Sequence, residues 1–499
     1  MRHLSLVIPR MQTYPTLAAI DLGSNSFHLQ VGRVEGDQLF YLDAIKESVR
    51  LAGGLTANKR LDGASQRRAL NCLARFGERL QGMPAGAVRA VGTSALRVAR
   101  NAPEFLDKAR HALGFDIEIV AGREEARLIY LGVSHSLPLN PEPRLVVDIG
   151  GGSTECIIGA GYEAQERESL RMGCVVFSNR FFPKGAIDKA SMKAAEIAAR
   201  IEIRMVAGPS FARGAWTEAV GSSGTARALG DICRQNGHSD GAITLGGLKW
   251  LREHLIKQGD SARLDIAGLK PDRRPVIVGG LAIMLSLFEE LEIERMTVAQ
   301  GAMREGILWD LLGRVHDRDM REVTVSQFQR RYQVDMAQAR RVENLGTALF
   351  QMLGGDGDTS RLLAWAARLH EIGISIAHSG FHKHGAYILE NADMPGFSRR
   401  DQIELAQLVR AMRGSLDKAG IESGSGLWPL ILCLRLAMLF NMSRSDAPVP
   451  PLTLRCAAGD CRLDVASAWL EANPLTRAAI DDEVRQWEKA AAALRLILV

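Results

Sequence analysis

The run VVDIGGGSTE at 146–155 closes an apolar stretch with Asp148, three glycines, two hydroxyls and Glu155. Glycine in a strand or turn is conformationally costly, so Gly150, Gly151 and Gly152 in a row point to a backbone that approaches something closely or takes positive φ. Successive amides in such a turn form an electropositive nest. Ser153 and Thr154 would add hydroxyl donors, a lining suited to phosphate oxygens. Asp148 and Glu155 would repel that phosphate unless a cation such as Mg2+ stood between them. The expected chemistry is phosphate plus metal, and the plainer alternative is a hairpin whose glycines serve the turn alone.

The pattern occurs twice. TLAAIDLGSNSFHLQVGRVEGDQLFYLDAIKES (16–48) has the grammar of RLVVDIGGGSTECIIGAGYEAQERESL (144–170): a strand ending in Asp21 or Asp148, a glycine and hydroxyl turn, a returning strand, then a short turn (EGD or GAG) into a third. Two such turns opposed across a cleft could clamp one phosphate, with Gly23, Ser24, Asn25 and Ser26 on one side and Gly151, Gly152, Ser153 and Thr154 on the other. EAVGSSGTARAL (218–229) and RPVIVGGLAIML (274–285) each read as strand, small-residue turn and helix. Such turns aim free amides at a cleft, and Gly224 and Thr225 would line it further along the substrate.

Hydrolysis of a phosphoanhydride needs a positioned water, neutralised oxygens and a group that orients or deprotonates the water. GREEARLIY offers Glu124 and Glu125 at a helix start, where acids also simply complement the helix dipole. Arg97, in GTSALR, is the best single cation, since a guanidinium fork binds two oxygens without titrating; otherwise it is a solvated arginine after a turn. Asp21 is a candidate for a metal-water contact or for hydrogen bonds to turn amides.

These residues need elements to hold them, and the chain is long enough to supply several. Its 499 residues suggest about three or four domains, and the composition is that of a globular protein. The longest apolar stretch, 427–440, is too short to span a bilayer and carries Pro429 and Arg435. The N-terminus lacks a signal-peptide core, and seven scattered cysteines suit a reducing compartment, so a cytoplasmic location is expected, with the inner membrane surface left open. Cys456 and Cys461 are read as flanking a turn rather than pairing. A net charge of +5 permits an anionic substrate but falls short of the basic runs of a nucleic-acid binder, so no nucleic-acid partner is expected.

At this point a resemblance is specific. AAIDLGSNSFHL (18–29), VGTSALR (91–97), AGREEARLIYLGV (121–133), VVDIGGGSTE, RMGCVVF (171–177), GSSGTARAL (221–229) and GAMREGILWDLL (301–312) resemble the exopolyphosphatase and guanosine pentaphosphate phosphohydrolase family, within the actin-like superfamily. The resemblance implies an α/β protein of two actin-like, ribonuclease H-like domains (1–136 and 137–314), an all-α HD-like domain (320–443) and a small α+β module (452–499). It implies Glu125 as the catalytic glutamate, Glu155 as assisting water activation or holding metal beside Asp148, Mg2+ with K+ as activator, and a homodimer. The expected reaction is removal of terminal phosphate from inorganic polyphosphate, with guanosine pentaphosphate as the alternative substrate. An actin-like kinase and a non-catalytic phosphate or nucleotide sensor are remoter readings: no acceptor site is legible for the first, and the Glu124-Glu125 pair argues against the second.

The charged stretch 315–323 and the proline-rich 443–453 read as linkers. Between them LLAWAARLHEIG (362–373) and HSGFHKHGAYIL (378–389) resemble a metal-dependent HD phosphohydrolase, but the expected His-Asp pair reads His370-Glu371. His378, His382 and His384 are then a residual metal cluster or ordinary helix-end histidines, and the second reading is preferred. Arg368, Lys383, Arg399, Arg400, Arg410 and Arg413 could guide a polyanion or simply be solvated.

Overall fold

The structure, a computed structural model, describes residues 14–35, 38–138, 140–206, 209–315, 319–355, 357–457, 459–490 and 494–499. Gly36 and Asp37 of the EGD turn, most of the N-terminal stretch, three residues of the 315–323 connector and Ala458 lie outside them. The chain forms two compact units, 1–320 and 321–499.

In the first unit the duplicated sequence becomes a duplicated sheet. Thr16–Leu22 (β1), Phe27–Glu35 (β2) and Gln38–Glu47 (β3) form an antiparallel meander, and Val88–Gly92 (β4) and Ile117–Ile119 (β5) extend it in parallel, giving β3-β2-β1-β4-β5. Arg144–Ile149 (β6), Thr154–Ala160 (β7), Glu163–Leu170 (β8), Glu218–Ser222 (β9), Ile243–Thr244 (β10) and Arg295–Val298 (β11) make a second sheet, β10-β11-β9-β6-β7-β8. Its first half repeats the same meander, and β9 joins β6 in parallel as β4 joins β1. The two sheets thus share one α/β plan, as the duplicated sequence predicts.

Strand alternation decides where the chemistry faces. Ala18, Ile20 and Leu22 enter a core with helices Gly63–Arg79 and Ala102–Leu113, while Leu17 and Ala19 enter a second core with Val146 and Ile157. Side chains on a strand repeat every second residue, so Asp21 continues the face of Leu17 and Ala19, and Asp148 the face of Val146. Both acids therefore stand at strand ends facing the space between the sheets. Helices Gly122–His135 and Met303–Val315 fill that space with Leu128, Ile129, Ile307 and Leu308. They meet backbone to backbone: a Cβ on Gly306 would lie 1.8 Å from the Leu128 carbonyl oxygen. That approach needs glycine and fixes the helix that carries Glu125.

One expectation fails here. Residues 274–285 are not a strand, a turn and a helix but part of a single helix, Arg274–Glu290. Gly279 and Gly280 lie buried within it, and a Cβ on Gly279 would come within 2.6 Å of the Cys174 carbonyl and the Ser178 amide. The glycines admit a neighbouring helix rather than a turn.

The second unit packs helices Met336–Met352, Gly357–Leu369, Phe381–Asn391, Arg399–Ala411 and Trp428–Phe440 around one core. That core extends into the sheet of Leu452–Ala457 (β12), Asp460–Val465 (β13) and Arg495–Leu498 (β14) and the helix Pro474–Lys489. Buried Arg435 ties the two parts by donating to Glu483 at 2.5 and 2.7 Å. Cys456 and Cys461 do pair, contrary to expectation: they are cross-strand neighbours on β12 and β13 with Cα atoms 4.0 Å apart, joined as a disulfide. None of the described helices is long and apolar enough to cross a membrane.

Candidate active site

A cavity of about 120 Å³ lies between the two sheets of the first unit. The glycine turns bring their backbones to it from both sides, with Gly23, Ser24, Asn25 and Ser26 from one half and Gly150, Gly151, Gly152 and Ser153 from the other. The turns nearly touch: a Cβ on Gly151 would lie 3.1 Å from Ser24 Cβ and 3.2 Å from the Asn25 amide. RMGCVVF buttresses the second turn. The Cys174 and Val175 amides donate to the Gly150 and Gly151 carbonyls, and a Cβ on Gly173 would lie 2.5 Å from Gly151 C and O and Gly152 N.

Glu125 lines this cavity from the first turn of helix Gly122–His135. Its carboxylate accepts from Arg97 Nη1 at 2.6 Å, and the same nitrogen donates to the Val120 carbonyl at 3.0 Å. Arg97 thus holds Glu125 by one guanidinium nitrogen, beside the cavity rather than among the residues that line it. Glu124 turns away into the core, where it pairs with Arg127 at 2.8 Å. Glu155 is buried behind the cavity, accepting from Ser169 Oγ at 2.8 Å. Two hydroxyls expected on phosphate are engaged elsewhere: Thr154 Oγ1 donates to the Met172 carbonyl at 2.7 Å and Thr225 Oγ1 to the Ile149 carbonyl at 3.0 Å, and neither lines the cavity. Gly224 does.

The acids form a strained set. Burial, then the neighbouring Glu125 carboxylate, pushes Asp21 up to about 8, and among the described residues its buried Oδ1 has no hydrogen-bond partner. Burial raises Asp148 to about 6 against hydrogen bonding from Ser222. Burial, with Glu125 and Asp148 nearby, holds Glu155 well above the usual carboxylate range. An orphaned carboxylate oxygen amid like charges is what a cation would relieve. Among the described residues no three acids or histidines converge closely enough to cage a metal by themselves. The orphaned Asp21 oxygen, with Asp148 nearby, fits magnesium, which keeps several waters and takes one or two carboxylates plus substrate phosphates.

Sequence reasoning missed five basic groups lining the cavity: His28, Lys46, Arg227, Arg273 and Arg304. Arg304 sits in GAMREGILWDLL and pairs with Glu305 at 2.8 Å. The signal for Lys46 was hairpin register, which places it opposite His28.

In the second unit His370 is buried and its Nδ1 meets the Ala367 carbonyl at 2.6 Å, while Glu371 pairs with the guanidinium of Arg444. An arginine thus neutralises the acid of the altered His-Asp pair. His378 and His382 flank the Phe381 ring, and His384 joins no metal-binding group among the described residues. Of the proposed polyanion path, Arg368 pairs with Glu322, Arg399 and Arg410 with Glu390, and Arg400 with Glu404. Arg413 lies over the Phe381 ring and Lys383 is exposed.

Comparison with known proteins agrees with this geometry. A model of the Ppx/GppA phosphatase family matches residues 31–315, and one of Ppx/GppA phosphatase domain III matches 320–484. A guanosine-5'-triphosphate,3'-diphosphate pyrophosphatase from Aeromonas hydrophila is 39% identical over 98% of this chain and 100% of its own. An exopolyphosphatase structure from Cytophaga hutchinsonii aligns at TM-score 0.52 and 26% identity, over 60% of this chain and 97% of that one. A Ppx/GppA family member from Aquifex aeolicus aligns at 0.50 and 26%, over 60% and 98%.

Proposed function

Since the chain belongs to the Ppx/GppA phosphatase family, we propose that it removes the terminal 5'-phosphate from guanosine pentaphosphate by hydrolysis in the cavity between its two sheets. The observation that supports this substrate is the match to the Aeromonas hydrophila enzyme over nearly the whole chain, second unit included. It reverses the order of substrates expected from the sequence motifs.

In this reading the terminal phosphate lies between the turns at 23–26 and 150–153, whose amides and hydroxyls hold its oxygens. Glu125 orients a water and takes its proton as the oxygen bonds to phosphorus and the anhydride P–O bond breaks. Arg97 fixes the Glu125 carboxylate by a charged hydrogen bond. Asp21 and Asp148 are the residues that would hold magnesium, and Glu155 stands behind them. The bound ion would neutralise charge on the phosphate oxygens.

The match to the Cytophaga hutchinsonii exopolyphosphatase supports polyphosphate as a second substrate. Phosphate release from guanosine pentaphosphate and long-chain polyphosphate, compared as kcat/KM in Mg2+ and K+, tests the assignment. A higher value for the nucleotide is expected, and a higher value for polyphosphate would overturn the order.

A further inference from the structure

In the second unit β14 presents an open edge. It pairs in parallel with β13 and, among the described residues, with no strand on its other side. The Arg495 amide donates to the Gly459 carbonyl at 2.7 Å and the Val499 amide to the Leu463 carbonyl at 3.0 Å. Backbone polar groups alternate in direction along a strand, so Arg495, Ile497 and Val499 turn theirs toward β13, and Leu496 and Leu498 turn theirs outward. Edge strands are ordinarily blunted by charge, proline or a bulge. After Arg495 this one carries none of them.

The open edge is one wall of a groove. A cavity of about 510 Å³ is lined by 495–499 in succession. Successive side chains point to opposite faces of a strand, so a cavity that meets all five runs along the edge rather than over one face. Five residues give that wall a length of about 13 Å. The facing wall is the helix Pro474–Lys489, which contributes Arg477, Asp481, Val484, Arg485 and Glu488 from a single helical face. Leu470, from the helix Ser467–Ala472, also lines the groove. An edge strand facing a helix across a groove can take up an extended peptide as an added strand, with main-chain hydrogen bonds for affinity and alternate side chains for specificity.

The charges say what that peptide should carry. Arg477 pairs with Asp481 at 3.4 Å and Arg485 with Asp482, along their own helix. Arg495 enters no ion pair among the described residues. Leu496 is buried in the core that holds Ile480 and Trp487 of the facing helix, so Arg495, one residue earlier, stands on the other face of the sheet, away from Glu488. A side chain directly opposite Arg495 on an added strand meets a cation there. β14 has no acidic side chain of its own, so a second copy of this strand does not supply the missing charge.

We propose that the groove between β14 and the helix Pro474–Lys489 takes up an extended segment of another protein as an antiparallel fourth strand, with apolar residues opposite Leu496 and Leu498 and a carboxylate opposite Arg495. The proposal is independent of the hydrolytic reading above.

Fluorescence anisotropy of the full-length protein with the end-capped peptides TVTVE and TVTVK tests it. TVTVE is expected to bind about fivefold or more tighter, because the terminal side chain changes one cross-strand pair from attraction to repulsion. Arg495 is exposed, so Arg495→Glu leaves the core intact and should invert the order. Binding of neither peptide at about 1 mM, or an order that Arg495→Glu leaves unchanged, would overturn the proposal. Bound TVTVE should also slow amide exchange over 494–499 about tenfold, as the outward amides of Leu496 and Leu498 gain partners. Binding with exchange there unchanged would place the peptide elsewhere and remove the groove. Protection of 494–499 that instead grows with protein concentration alone, alongside dimers in sedimentation, would give the edge to a second copy and equally overturn the assignment.

Discussion

Replacing Asp310 by asparagine should loosen the helix that carries Glu125. Asp310 is buried on helix Met303–Val315 and accepts from Arg89 at 2.6 Å, from Arg127 and from Arg314 at 3.2 Å. Arg89 and Arg127 are themselves buried. Breaking a buried pair by neutralising one partner costs about 3–5 kcal/mol, because the remaining charge stays buried. Here Arg127 keeps Glu124 at 2.8 Å and Arg89 keeps Glu118 at 3.1 Å, so the lower end applies, about 3 kcal/mol. Amide hydrogen exchange resolved by peptide reads this locally. Where protection is limited by unfolding of this unit, about 3 kcal/mol corresponds to exchange roughly 150-fold faster over 122–135 and 303–315. Peptides of 336–440 belong to the other compact unit and serve as the internal control. Acceleration below about fivefold would refute the view that this network clamps the two helices.

The same network gives a pH signature. Burial pushes the Asp310 carboxyl up, but Arg127, Arg89 and Arg314 outweigh it and hold it well below the usual range. A carboxyl depressed on folding contributes stability above its unfolded pKa, near 4, and loses it as pH falls through the folded value. The advantage of wild type over Asp310→Asn in urea should therefore be full at about pH 5 and shrink below about pH 4. Gly173→Ala places a methyl against the backbone of Gly151 and Gly152; a shifted phosphate turn should lower kcat/KM by about tenfold to a hundredfold with the melting transition retained. Thr154→Val removes only the hydroxyl that holds Met172. It should cost about 1 kcal/mol in urea unfolding and leave KM unchanged, and a raised KM would return Thr154 to the phosphate.

Much of the site was legible because the turn chemistry is local. A strand ending in Asp21 or Asp148, followed by small residues, says which backbone must face the cleft, and β1 and β6 place both acids there. Which hydroxyl faces the cavity is a matter of tertiary hydrogen bonding: Ser153 lines it, whereas Thr154 begins β7 and bonds across to Met172. Lys46 was illegible for a different reason, since its place depends on hairpin register and on a bulge between Val31 and Gly32. Gly279 and Gly280 misled because the same residue type serves turns and close helix packing, and only the neighbouring Cys174 and Ser178 distinguish them. Arg97 was legible as a cation but its contact with Glu125 was not, since the two lie 28 residues apart.

The central claim is that Glu125 acts on the water at a phosphate held between the two turns. It is tested most directly by measuring phosphate release from guanosine pentaphosphate by Glu125→Gln, together with calorimetric binding of that nucleotide to the same protein. The account predicts a loss of kcat of about a hundredfold or more with affinity within a few fold, as expected when a general base is removed from an intact site. Retained turnover with Gln at 125 would contradict it.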